Sequence, residues 1–398
     1  MSWHLCEPID FETHNQESKS VWEAYNRGRP YRVPVLIGGS IRNLLENPSI
    51  NRTGFTFDDF FTDPEAQIQA QLAYQKWVRY NVICDREMGP PKNGWELSVD
   101  FQNSWEQGWF GCPVKLQAGK VPDTTEILKD NKHALYNIDP PDPLRGNLAA
   151  RGMEFFEYMH DRCSDMEFEG LPVNPPATIP GEGTDGVFTM AVKLRGTVEA
   201  CIDMYEDPTY FHDLLDFVTN NIIRRIKAVK EWRWLHNESA VDRGRYKTAN
   251  WGFADDSIAM LSEKDYAEHI YPYHKRLRDE LSDGSPISMH LCGDATHLFP
   301  FLNARLNVKS FDTGFPVDFG KLRDTLGPDV QIYGGPSVMV LRSGPPAAIK
   351  AEVERICSSG IMAGGRFVLR EGNNMAPGTP VEHVMAMYNA GKQNGRYK

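Results

Sequence analysis

Clustered cysteine is missing from this chain. Its seven cysteines (6, 84, 112, 163, 201, 292 and 357) are odd in number and widely spread, with no Cys-x-x-Cys, which excludes a disulfide framework. An isolated cysteine is usually a small buried hydrophobe, so only one with a ligating neighbour suggests chemistry. No apolar run reaches about 18 residues, the length a membrane helix needs. The start, Met1 to Pro8, lacks the basic residues and apolar core of a signal peptide, so a cytoplasmic protein is expected. Clusters of Lys and Arg are absent too, and the net charge is −11. That excludes nucleic acid and anionic membrane as main partners, because both reward clustered cations.

What is present suits a soluble globular protein, with 41% hydrophobic and 24% charged residues over 398 positions. This is enough for one large α/β barrel. The first thirty residues are polar and read as an N-terminal arm. Arg32 to Gly39 reads as the first buried strand, and a helix is expected from Asp63-Pro64, with aspartate at the cap and proline in the first turn. Residues 95–115, rich in tryptophan and glycine, read as a hairpin excursion in which Trp105 and Trp109 form either a lid or a small core. Gly181 to Gly186 is an acidic glycine-rich loop without the lysine of a phosphate cradle.

Beyond Val187 the pattern is regular. Asp207-Pro208 opens a helix carrying Phe211, Leu214, Leu215, Val218, Ile222, Ile226 and Val229 at helical spacing. Short strands then end in Asp255-Asp256, in His290-Leu-Cys292, in Asp312, in Tyr333-Gly334-Gly335 and in Glu371-Gly372, each followed by a helical stretch. Thr379-Pro380-Val381-Glu382 reads as a capping box for the closing helix. Such alternation predicts a parallel sheet with helices outside it. A closed barrel would gather all these strand ends at one mouth. The rival doubly wound sheet lacks its expected Gly-x-Gly-x-x-Gly turn.

The chemically densest stretch is Ser288-Met-His290-Leu-Cys292-Gly293. On a strand, Ser288, His290 and Cys292 share one face and Met289 and Leu291 the other. Imidazole and thiolate can then reach one Zn²⁺ at roughly 2.0–2.3 Å. Gly293 allows a sharp turn at that point. The plainer reading is a buried strand with a satisfied histidine and an inert cysteine.

Phe188 to Gly196, Tyr205-Glu-Asp-Pro208, His290-Leu-Cys-Gly293 and Met375 to His383 together resemble the uroporphyrinogen decarboxylase superfamily, including its corrinoid-dependent methyltransferase branch. The likeness is ordered over about 185–391 and loose before that. It implies a single uroporphyrinogen-decarboxylase-like (β/α)8 TIM-barrel domain over 1–398. In the methyltransferases a His-x-Cys pair, matched by His290 and Cys292, binds zinc with a further cysteine whose place is taken here by Asn373. Glu371 is therefore expected as the third ligand, with Asp255 and Asp256 as competing acids. Arg195, between an expected strand and a helix, either binds a substrate carboxylate or forms a structural ion pair. Asp255, Asp256 and Asp312 orient ligands or cap helices, and Tyr333, Gly334 and Gly335 either admit a flat cofactor or make a tight turn.

The resemblance implies methyl transfer between a small methylated compound, or a thiol or pterin acceptor, and a corrinoid. An oxygen ligand in place of a thiolate makes the metal harder and favours demethylation of an O- or N-methyl substrate. The Asp-x-His-x-x-Gly pattern of corrinoid proteins is absent, so the cobalamin is expected on a partner protein. A homodimer is left open. The alternatives are a metal-free lyase of the decarboxylase type, for which Arg42 and Asp85 match expected substrate-binding positions, and a non-catalytic binding member of the superfamily.

Overall fold

The structure, a computed structural model, describes residues 9–236 and 246–397. At its centre is a parallel sheet in the order Phe367–Leu369, Gln331–Gly334, Val308–Thr313, Ile287–Leu291, Gly252–Ala254. Extended segments continue it on both sides. Val35 bridges Leu369 in parallel, Asp85 N donates to Val35 O (2.7 Å), and Ala254 N donates to Thr184 O (3.2 Å). Extended stretches near residues 33, 82, 181, 252, 287, 308, 331 and 367 thus lie side by side in the order expected of an α/β barrel.

Burial alternates along the strands as the pleat requires. Ile287, Met289 and Leu291 are almost fully buried against the surrounding helices, whereas Ser288 and His290 are half-buried on the other face. Each such apolar side chain removed from water contributes about 1.5–3 kcal/mol. The outer layer includes Pro208–His236, whose seven periodic apolar residues are all buried, Tyr271–Leu281 and Val381–Asn394. Asp63 caps Pro64–Asn81 through Glu65 N, as its sequence predicts.

Several expectations are corrected. Residues 95–115 are not a hairpin: Trp95–Glu96 pairs in parallel with Leu171–Asn174, Trp105–Trp109 is a short helix, and the two-stranded turn lies later, between Val114–Lys115 and Asp123–Thr124. Trp109 is completely buried and bonded to Asp142 O, so it serves packing rather than a lid. The N-terminal arm contains a helix, Phe11–Asn26, pinned by Trp22 Nε1 to Asp85 O (2.7 Å); residues 1–8 lie outside the described residues. The stretch before Gly196 is a helix, Val187–Arg195, not a strand. At the last helix Pro380 occupies the cap position, and Thr379 Oγ1 turns back to Ala376 O instead of capping.

Candidate metal centre at the strand ends

Register brings the site together. In the parallel ladder Ala254 lies opposite His290, His290 opposite Asp312, and Asp312 opposite Tyr333, so these side chains form one row on one face of the sheet. Cys292 follows just past the strand, and Gly293 turns the chain with φ +75°. His290 Nε2 then lies 2.9 Å from Cys292 Sγ and 3.9 Å from Asp256 Oδ1. The three donor atoms lie within 4.8 Å of one another. A sulfur, a nitrogen and an oxygen converging in this way suit a zinc ion with its fourth position open.

The acid that converges with His290 and Cys292 is Asp256; the expected Glu371 is not part of this cluster. Asp256 Oδ1 is held by Cys292 N (2.7 Å), which ties the end of one strand to the end of the next. Glu371 is fully buried, and its Oε1 accepts from Gly38 N (2.8 Å). Its Oε2 has no hydrogen-bond partner. Burial raises the Glu371 carboxyl to about 8, against the opposing pull of Arg370 and of the backbone donor. An acid in that setting is mostly protonated at neutral pH and a poor metal ligand.

Asp312 supports the histidine. Its Oδ2 accepts from His290 Nδ1 (2.8 Å) and from Arg370 Nη1 (2.8 Å), which fixes the imidazole so that Nε2 faces the cluster. Burial by itself would lower the pKa of His290, but its bonds to Asp312 and Cys292 outweigh burial and raise it to about 10. The proton shared by Nε2 and Sγ is the one a metal ion would replace.

Asp255 has a different task. Its carboxylate accepts from Phe188 N, Thr189 N and Thr189 Oγ1, and from His274 Nε2 (2.8 Å), all inside the protein. It caps Val187–Arg195 from outside that helix. Arg195 is not brought to the cluster either: its guanidinium binds Asp203 (2.7 Å) and the carbonyls of Leu128 and Lys129. Tyr333 joins the row, with its hydroxyl receiving Gln331 Nε2. Gly334 and Gly335 are needed by the protein itself, since a methyl group on Gly334 would meet Phe319 and Thr313, and one on Gly335 would overlap Arg370 O.

Two further residues were not foreseen as members of the site. Arg370 directly precedes the expected Glu371, but nothing in its neighbours signals that it would reach across to Asp312. Asp185, in the acidic glycine loop, is pushed up to about 7 by burial and by the nearby carboxylates of Glu106, Asp256 and Asp255. It can hold a proton beside the cluster at neutral pH.

The family model described as uroporphyrinogen decarboxylase (URO-D) matches residues 251–393, which contain all three donors. That C-terminal part of the chain is thus similar to the uroporphyrinogen decarboxylase family. It is 26% identical over 336 residues to the methylated-thiol–coenzyme M methyltransferase of Methanosarcina mazei, covering 83% of this chain and 79% of that protein. It is 24% identical over 290 residues to a uroporphyrinogen decarboxylase of Parasynechococcus marenigrum, covering 71% and 74%. Among solved structures, a methyltransferase from Methanosarcina mazei shares the fold with a TM-score of 0.62 at 16% identity, over 94% of this chain and 98% of that one. The similarity to a methyltransferase over most of both chains supports methyl transfer in general. No helix among the described residues is long and apolar enough to cross a membrane.

Proposed function

We propose that this protein is a zinc-dependent methyltransferase that moves a methyl group between a small methylated O- or N-compound and a cobalamin carried by a partner corrinoid protein. The observation that supports this reading is the convergence of Asp256 Oδ1, His290 Nε2 and Cys292 Sγ at the strand ends, with Asp312 on the far side of the imidazole. With zinc bound, Cys292 and Asp256 would supply negative charge and His290 a neutral nitrogen, while Arg370 keeps Asp312 in place. A bound zinc ion would act as a Lewis acid on the substrate heteroatom that carries the methyl group.

The residues around the cluster then have distinct tasks. Asp312 accepts a hydrogen bond from His290 Nδ1 and so orients the ring. Cys292 N holds Asp256 so that its carboxylate faces the same point. Asp256 is near enough to help raise the pKa of Asp185, so that Asp185 can hold a proton for a departing alkoxide or amine. The relative from Methanosarcina mazei is named for methylated thiols; a donor set with one thiolate and one carboxylate is harder and favours oxygen or nitrogen.

The metal-free decarboxylase reading is less well supported. Asp85 is fully buried and locked in a two-pronged pair with Arg32 (2.7 and 2.8 Å), while also accepting from Val35 N. It closes the fold and is not offered to a substrate.

Elemental analysis of purified protein tests the proposal, on wild type beside Cys292→Ser, Asp256→Asn and Glu371→Gln. About one zinc per chain is expected, lost in the first variant, weakened in the second and retained in the third. Zinc absent from wild type, and not taken up on addition, would overturn it.

A further inference from the structure

A second cavity, separate from the metal cluster, lies between the hairpin of residues 114–124 and the elements that carry Arg42, Ser104 and Lys193. Its volume is about 770 Å³, in the range of small-molecule sites, roughly 300–1,000 Å³. Neither His290, Cys292 nor Asp256 lines it.

Its charge runs against that of the chain. The protein carries −11 overall, yet this wall presents Arg42, Lys115, Lys120 and Lys193 against Glu46 and Asp123. Four cations against two carboxylates leave two positive charges. Asp123 is already engaged, with Lys193 3.3 Å away and Lys115 opposite it in the hairpin register.

Two polar groups on the same wall lack partners. Ser104 is 1% exposed and its Oγ has no hydrogen bond, and the same holds for the buried Nε of Arg42. A buried hydroxyl or guanidinium N–H left unsatisfied costs free energy unless a ligand or water completes it. Clustered ammonium groups, a planar guanidinium fork and a hydroxyl donor are the set that recognises oxyanions.

We infer that this cavity is a binding site for a small organic polyanion bearing phosphate or carboxylate groups, distinct from the metal centre. The hairpin supplies Lys115 and Lys120, so part of the site lies outside the central parallel sheet. Its occupation depends on charge and on the Ser104 hydroxyl, and does not require zinc.

Isothermal titration calorimetry with glycerol phosphate and with glutarate tests it, in wild type, in Lys115→Gln/Lys120→Gln and in Ser104→Ala. Zinc content and circular dichroism are recorded for each protein. Wild type is expected to bind at least one probe, with affinity reduced about tenfold or more in the double variant and measurably in Ser104→Ala, while zinc content is unchanged. Preference for glycerol phosphate would support a phosphate-bearing ligand, and preference for glutarate a carboxylate. No binding of either probe up to about 10 mM, or binding unaltered in a folded double variant, would overturn the inference. Since the readout is independent of the metal, its failure is distinguishable from failure of the methyltransferase reading.

Discussion

Two histidine–aspartate pairs lie about one strand apart in this protein, each at 2.8 Å: His274 with Asp255, and His290 with Asp312. The first pair is sealed, both side chains having no exposure, and is completed by Tyr266, whose hydroxyl meets His274 Nδ1 at 3.0 Å. Its second partner set is the backbone of Phe188 and Thr189 with the Thr189 hydroxyl, at the start of Val187–Arg195. The other pair is 30% and 25% exposed, and its free imidazole nitrogen faces a thiol and a carboxylate. An identical contact thus holds a helix to a strand where every donor is internal, and presents a ligand where one nitrogen is left facing an open cluster. Burial and the third partner decide the role, not the pair itself.

The largest way to sharpen that contrast is to remove the thiol. Cys292→Ser is expected to lower zinc from about one per chain to near zero and to abolish methyl transfer, with secondary structure by circular dichroism retained. The corresponding cut in the sealed pair, Asp255→Ala, is expected to leave the metal donors intact but cost about 3–5 kcal/mol of stability, since it strands a buried histidine and uncaps a helix. Denaturant titration measures it. A loss below about 1 kcal/mol would break the comparison.

Glu371 combines features of both regions, being as sealed as Asp255 but with only a 3.5 Å contact to Arg370 for its charge. Its folded pKa of about 8 lies above the ordinary 4.5. Between those values the unfolded chain has released its proton while the folded one retains it, so this group makes stability fall as pH rises, by at most about 1.4 kcal/mol per pH unit. Above pH 8 the contribution levels off. Glu371→Gln is expected to remove that slope and to gain on wild type as pH rises from 5 to 8, which thermal melts across the range would show. The smallest effect is expected from Asp312→Asn, which keeps every zinc donor and weakens affinity about tenfold to a hundredfold by releasing the His290 ring. A chelator competition assay measures it, and unaltered affinity would mean that Arg370 and Asp312 serve only packing.

Much of the barrel was readable before any coordinates. The alternation of short strands and helices after Val187, and the apolar spacing of residues 211–229, are local patterns whose periods of two and 3.6 decide the element by themselves. The early third was read less well. The tryptophans and glycines of residues 95–115 look like turn chemistry and predict a hairpin, yet Trp95–Glu96 finds its partner more than seventy residues later at Leu171–Asn174. Long-range pairing leaves no local trace.

The candidate site divides along the same line. His290 and Cys292 were legible because residues two apart in extended backbone share a face, and the extended chain carries that spacing just past the strand end. Choosing Asp256 over Glu371 required knowing which strand ends are neighbours and how deep each lies. Asp255 and Asp256 look interchangeable on paper, but consecutive residues at a strand end point to opposite sides, and only one of those sides opens toward His290. Chain chemistry alone thus set the donor types and their spacing along a strand. Packing of distant segments decided which acid completes the cluster, which is sealed away, and that Arg370 anchors the whole row, because burial and register exist only once the strands are side by side.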